Sequence, residues 1–369
     1  MSLQVLIVPD KFKGTLTAQQ AADAIARGWR AGRPSDRLKL LPMSDGGDGF
    51  GEVLGDLLGA TQQITKTVDA AHRPVEAAWW WAADTRTAIV ESALVIGLAM
   101  LPRGKYHPFE LDTFGLGAVL LEAADKGAKR CLIGIGGSAT NDAGFGLARA
   151  LGWQFFNTHE EAISRWTELY HLAMVRPPQR ANPFEELIVA VDVQNPLLGL
   201  EGCSRIYGPQ KGLTEFEFAE RSLGQLAAVI EKQMHVAHSN TPGAGAAGGL
   251  GFGLACFAGG RFQAGFDIFA ECADLEERLR TAQLVITGEG ALDAQTLMGK
   301  GVGGIAALCR KLNVPCVGLA GIAPNREQAL TQFAGVHAMV PDLTDKESAM
   351  REPALWLERL AAKAAEAQW

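Results

Sequence analysis

Residues 133–146 read IGIGGSATNDAGFG, following the run Arg130-Cys131-Leu132 and leading into Leu147-Ala148-Arg149-Ala150-Leu151. Strand, glycine-hydroxyl loop and helix start, in that order, is the layout by which α/β proteins hold phosphate. Glycines let backbone N–H groups approach an anion, and the helix N-terminus adds a partial positive charge. Ser138, Thr140, Asn141 and Asp142 crowd four polar groups into five positions, more than a turn needs. The stretch predicts an α/β fold and an enzyme that handles a phosphorylated ligand.

Within it, Gly134-Ile135-Gly136-Gly137-Ser138-Ala139 matches the dinucleotide pattern G-x-G-x-x-A. A nicotinamide-binding unit also needs an acidic residue about 20 positions on, at the end of the next strand. Trp153-Gln154-Phe155-Phe156-Asn157 stands there, with no acid before Glu160. An oxidoreductase is therefore disfavoured. No G-x-x-x-x-G-K-[ST] occurs either; Gly299-Lys300-Gly301 lacks the upstream glycine and the hydroxyl residue.

The same rhythm runs outward on both sides. Residues 3–8 predict a strand ending at Pro9-Asp10, and Thr17-Ala18-Gln19-Gln20 fits a capping box. Behind it, Ala21, Ala24, Ile25, Gly28 and Trp29 form the apolar stripe of a helix stopped near Gly32. Leu38–Leu41 is a second strand, followed by Asp45-Gly46-Gly47-Asp48-Gly49 and a helix through Leu57. Residues 62–68, 75–81 and 87–91 predict an antiparallel meander, in which Trp79-Trp80-Trp81 alternates faces and packs. Residues 157–185 read as irregular apart from one short helix. From residue 280 the α/β alternation returns: strand 284–286, loop 287–300, helix 302–312, strands 314–319 and 336–340, and a final helix. The expected architecture is a discontinuous Rossmann-like parallel-sheet domain, residues 1–68 plus 281–369, carrying an inserted mixed α/β domain, residues 69–280.

Composition bounds the function. A chain of 369 residues exceeds one ordinary core, and 48% hydrophobic with 20% charged residues describes a folded domain pair. A net charge of −7 without basic runs argues against nucleic acid. The first apolar run is too short for a signal peptide or membrane span, so no membrane partner and a cytoplasmic location are expected. Six cysteines without a C-x-x-C pair read as reduced, buried thiols. His235 and His238 have no third ligand at zinc spacing, and no G-x-S-x-G elbow is present.

Charged residues recur after successive strands: Lys11 and Lys13, Asp45 and Asp48, Asp192 and Asn195, then Glu289, Asp293, Gln295 and Lys300. Lys211 adds another cation in Gly208-Pro209-Gln210-Lys211-Gly212. Any one alone would more often be a cap or a solvated side chain. Together they are what phosphoryl transfer needs: carboxylates for Mg²⁺ and for the acceptor hydroxyl, and cations for the developing charge.

Pro9–Leu16, Asp45–Gly49, Gly136–Gly144, Asp192–Leu197 with Gly208–Gly212, Pro242–Gly249 and Thr287–Lys300 occur in an order that resembles the type I glycerate kinases over nearly the whole chain. The resemblance implies ATP-dependent phosphorylation of D-glycerate to 2-phosphoglycerate, with the site in an interdomain cleft. It departs from the family pattern at Lys11, at Asp48, at Ala291 in place of an arginine, and at Tyr106-His107-Pro108. Loss of an arginine removes a bidentate anion clamp, which keeps open a kinase for a related small hydroxy acid. A non-catalytic two-lobed anion-binding protein is a third alternative, disfavoured by the carboxylates.

On this reading ATP phosphates lie against Gly136, Gly137, Ser138, Ala139, Thr140 and Asn141, with Gly243 and Gly245 as a second glycine wall. Asp192 and Asp45 are the expected catalytic acids, and Lys13 and Lys211 the catalytic cations. Asp10, Lys11, Gly46, Gly47, Glu289, Asp293, Gln295 and Lys300 are expected around the acceptor. Asp192 and Asp293 are the expected Mg²⁺ ligands. The partners are then a hydroxy acid and ATP, and a homodimer is left open.

Overall fold

The computed structural model describes residues 2–179, 182–297 and 301–367. Its strands are β1 (Gln4–Pro9), β2 (Arg37–Leu40), β3 (Thr61–Val68), β4 (Pro74–Ala82), β5 (Thr87–Glu91), β6 (Arg130–Gly134), β7 (Gln154–Asn157), β8 (Leu172–Arg176), β9 (Glu186–Ala190), β10 (Gly260–Gln263), β11 (Leu284–Ala291), β12 (Cys316–Ile322) and β13 (Gly335–Val340). The chain divides into two compact units, residues 1–45 with 266–369, and residues 46–265. Among the described residues no helix is long and apolar enough to cross a membrane.

The first unit is a five-stranded parallel sheet ordered β13-β12-β11-β1-β2. Val5 and Ile7 share one face with Leu284, Ile286, Val317 and Leu319, against helix α1 (Ala18–Gly32) and helix Pro353–Ala365. The predicted capping box is present, with the Thr17 hydroxyl accepting from the Gln20 N–H at 3.2 Å and the Gln20 side chain accepting from the Thr17 N–H at 3.0 Å. Gly28 and Gly32, one turn apart, let the two helices touch. A Cβ on Gly28 would lie 2.0 Å from the Glu358 carbonyl oxygen. The chain leaves β1 toward β2 on one side and returns as β11 on the other. The carboxyl ends of β1 and β11 thus flank a topological switch point, where open α/β sheets bind ligands.

The second unit holds a six-stranded sheet ordered β10-β9-β6-β5-β4-β3, parallel from β10 to β5 and antiparallel through the meander. The three tryptophans pack as expected. Trp79 is fully buried and donates to Thr65 at 3.0 Å, and Trp80 lies against Gly51 and Gly55 of helix α2 (Phe50–Leu57).

Three expectations are corrected. The chain passes between units at 45/46 and 265/266, rather than at 68/69 and 280/281. The reason is packing: α2 offers Gly51 and Gly55 to Trp80, β3 pairs along its whole length with β4, and Phe266 packs on Gly304. β11 runs to Ala291, so Thr287 and Glu289 are strand residues, not loop. Residues 157–185 contribute β8, which pairs antiparallel with β7, where only a short helix was expected.

Candidate functional site

In the first unit the switch point gathers acids. Asp10 follows β1, Asp45 follows β2, and Glu289 lies near the end of β11. The Asp10 N–H donates to the Gly288 carbonyl at 2.9 Å and the Thr287 hydroxyl to the Val8 carbonyl at 2.7 Å, which fixes Asp10 beside β11. Asp10 is 8% exposed, and its carboxylate accepts the Lys11 N–H at 2.7 Å. Burial, then the Asp45 charge, raises the Asp10 pKa to about 7, with Lys11 opposing and Glu289 adding. Burial likewise raises Glu289 to about 7, opposed by a hydrogen bond from Thr296 and helped by Asp293 and Asp45. The Thr296 hydroxyl donates to Glu289 at 2.6 Å, while its N–H donates to Asp293 at 3.3 Å. Lys13 is exposed in the turn between Phe12 and Leu16, whose backbone lies against Gly290. Two carboxyls poised near neutrality in one cluster can bind a cation or exchange a proton with an acceptor hydroxyl.

In the second unit the loop after β6 is exposed only at Gly136 and Gly137; Ser138, Ala139, Thr140 and Asn141 are buried. Their side chains bond inward. The Ser138 hydroxyl donates to the Ala247 carbonyl at 3.1 Å, and Asn141 donates to Ser204 at 2.9 Å. Asp142 is a structural tie, accepting from the Thr113 N–H and hydroxyl at 2.9 and 2.8 Å and from Gly146 at 2.9 Å. Its burial raises its pKa to about 6, with Asp112 adding. The part of the loop left exposed is therefore Gly136–Gly137, with the polar side chains holding it from behind.

Lys211 stands behind that loop as well. It is buried, its ammonium donates to the Thr140 carbonyl at 2.6 Å, and burial lowers its pKa to about 8. Gly243 and Gly245 pack on chain rather than on open space: a Cβ would meet Val191 at 2.7 Å and the Pro196 carbonyl at 2.1 Å. The Ala143 N–H donates to the Gly248 carbonyl at 3.1 Å, joining the two glycine segments. Asp192 is half-buried after β9, and its Oδ1 accepts the Gly265 N–H at 3.0 Å. Gly46 and Gly47 belong here, beside Gly134 and Gly136.

So Asp10, Lys11, Lys13, Asp45, Glu289 and Asp293 lie in the first unit, and Gly46, Gly47, Gly136–Asn141, Asp192, Lys211, Gly243 and Gly245 in the second. The Gln295 side chain and Lys300 lie outside the described residues. Asp192 and Asp293 are in different units, and among the described residues no group of three or more His, Cys, Asp or Glu could hold a metal ion. That donor set does not suit a protein-only cage.

Three residues of the site escape sequence reading. Thr296, three positions after Asp293, was detectable as a short Asp-x-x-Thr cap. Glu91 ends β5 at the same sheet edge as Asp192, and the strand-end rule that selects Asp192 would have selected it. Ser204 gives no local signal, because its partner Asn141 is 63 positions away.

The chain is similar to known proteins over nearly its whole length. Residues 5–368 match the model of the glycerate kinase family. The chain is 35% identical over 365 residues to a glycerate kinase of Halalkalibacterium halodurans, covering 97% of this chain and 96% of that one. It is 36% identical to a glycerate 2-kinase of Escherichia coli, over 86% of this chain and 85% of the relative. A crystal structure described as a glycerate kinase 2 from Salmonella typhimurium LT2 superposes with a TM-score of 0.86 at 32% identity, over 99% of this chain and 98% of that chain. This parallel-sheet α/β chain, matched over nearly its full length, belongs to the glycerate kinase family of phosphotransferases.

Proposed function

We propose that the protein transfers a phosphoryl group from ATP to D-glycerate, giving 2-phosphoglycerate. The observation that carries the chemistry is the placement of Asp10, buried, and Glu289, half-buried, at the carboxyl ends of the adjacent parallel strands β1 and β11, where burial raises both pKa values to about 7. A general base works best with a pKa near the operating pH. In this reading the ATP phosphates meet the exposed Gly136–Gly137 backbone, stiffened by Ser138, Thr140, Asn141 and Lys211, with Gly243 and Gly245 fixing the loop behind it. Lys11 and Lys13 bind the carboxylate of the hydroxy acid, while Glu289, Asp293, Asp45 or Asp10 takes the hydroxyl proton. Asp192 and Asp293 are proposed for Mg²⁺, which when bound neutralises charge on the transferring phosphate.

A second reading, a kinase for a related small hydroxy acid, is favoured by Ala291, which offers no guanidinium for the acceptor carboxylate. Phosphorus NMR of the product formed from D-glycerate and ATP tests the first reading. A 2-phosphoglycerate signal supports it. A 3-phosphoglycerate signal rejects the product, and turnover only with another hydroxy acid transfers the case to the second reading.

A further inference from the structure

Glu91 is the last residue of β5 and is 5% exposed. Its two carboxylate oxygens are used at the start of α2. One accepts the Gly49 N–H and the other the Gly51 N–H, each at 3.1 Å. The cap position of α2 is Gly49, at φ +86°, with no side chain to accept a helix N–H. First-turn N–H groups need an acceptor from elsewhere. Glu91 supplies it from 40 positions away.

The same residue is zipped to the glycine loop through its backbone neighbourhood. Glu91 pairs with Gly134 in the parallel ladder, and the Ser92 N–H donates to the Gly134 carbonyl at 2.9 Å. Further on, the Leu98 N–H donates to Gly137 at 2.9 Å and the Ala139 N–H to Ile96 at 2.8 Å. The segment that Glu91 caps lies directly on this loop. A Cβ on Gly136 would stand 3.1 Å from Gly47 Cα, and one on Gly137 would stand 3.2 Å from an Asp48 carboxylate oxygen. Gly46, at φ +100°, reaches Asp192 in the same way, 3.6 Å from Oδ2.

We propose that Glu91 is a positioning residue that locks the Gly46–Gly49 turn onto the Gly134–Gly137 loop, so that both turns form one nucleotide-phosphate wall. The inference rests on the reading that ATP phosphates meet the Gly136–Gly137 backbone. It moves Gly46 and Gly47 from the acceptor side of the reaction to the nucleotide side. It also gives a reason for an acid beneath an anion site: both oxygens are occupied by N–H donors, so the charge serves the helix end.

Amide hydrogen exchange on the unmodified chain, with ATP as the probe, tests this alongside steady-state kinetics of Glu91→Gln. Glutamine keeps one acceptor and sets an NH₂ group against the other N–H. The expected result is that ATP slows exchange in residues 46–51 and 134–140 together. The KM for ATP should rise about tenfold in Glu91→Gln while that for D-glycerate stays within about twofold, as for a displaced binding loop. Leu54→Val, buried in the same helix, controls for stability and should lower the melting temperature without moving either KM. ATP protection confined to 134–140 overturns the role of Glu91 but leaves the nucleotide reading standing. Protection of neither segment overturns both. A folded Glu91→Gln with an unchanged KM for ATP overturns the role of Glu91 as well; if that variant does not fold, the exchange experiment decides.

Discussion

The ammonium of Lys211 donates to the carbonyl of Thr140 at 2.6 Å, from a buried position behind the glycine loop. A cation expected to touch a transferring phosphate is here spent on the loop that would receive it. Two opposing effects act on its stability contribution. Burial penalises the charge and lowers its pKa to about 8, while a charged hydrogen bond contributes ~1.5–3 kcal/mol. Lys211→Met leaves the buried Thr140 carbonyl without this donor, so it should lower unfolding free energy by about 1–3 kcal/mol and lower kcat/KM for ATP at least about tenfold through a loosened loop. Denaturant titration and kinetics measure the two separately, and a large stability loss with intact kinetics would reverse the assignment.

Asp192→Asn isolates charge from geometry. Asparagine retains the oxygen that accepts the Gly265 N–H at 3.0 Å, so the fold should persist. Turnover should fall at least ~100-fold, because the proposed Mg²⁺ ligand supports several kcal/mol of charge stabilisation on the transferring phosphate. Near wild-type turnover in a folded variant would remove Asp192 from the chemistry and leave it as an anchor of Gly265.

The acids at the switch point predict a conflict between stability and activity. Asp10 and Glu289 sit at about 7 in the fold, above their ordinary values of 3.8 and 4.5. Between those limits the native state holds protons that the unfolded chain has released, so stability falls as pH rises from about 4 to about 7. Asp10→Asn removes this cost. It should raise the melting temperature at about pH 8, flatten the decline between about pH 5 and 8, and lower activity. Wild-type activity should climb through about pH 7 as the carboxyls ionise. An Asp10→Asn melting curve that tracks the wild type at every pH would show the carboxyl to be ordinary.

Gly248 tests the joint between the glycine segments. It has φ +69°, and a Cβ there would lie 1.9 Å from the Thr140 carbonyl oxygen. The clash involves backbone on both sides, so no rotamer relieves it. Gly248→Ala should destabilise by more than about 2 kcal/mol, a strained position combined with overpacking. Chemical denaturation reads this directly, and a change under about 0.5 kcal/mol would mean the segments part easily.

Much of this was legible in the sequence because the signals are local. The Thr17–Gln20 cap, the meander around Trp79–Trp81 and the acids after β1, β2 and β9 each lie within a short window. What was not legible depends on distant pairing. The crossing near residue 45 follows from Trp80 packing on Gly51 and Gly55, which no pattern around residue 50 announces. The inward use of Ser138 and Asn141 depends on Ala247 and Ser204, more than 60 positions away. A polar, glycine-rich loop looks the same in sequence whether its side chains face a ligand or the interior. Only its partners decide that.

Phosphoryl transfer to glycerate is measured most directly by coupled ADP release with ATP and a panel of hydroxy acids, with and without Mg²⁺. The expected result is ADP release that requires both Mg²⁺ and an acceptor, fastest with D-glycerate. No release with any acid, despite ligand-induced thermal stabilisation, would contradict it and leave a two-lobed anion-binding protein.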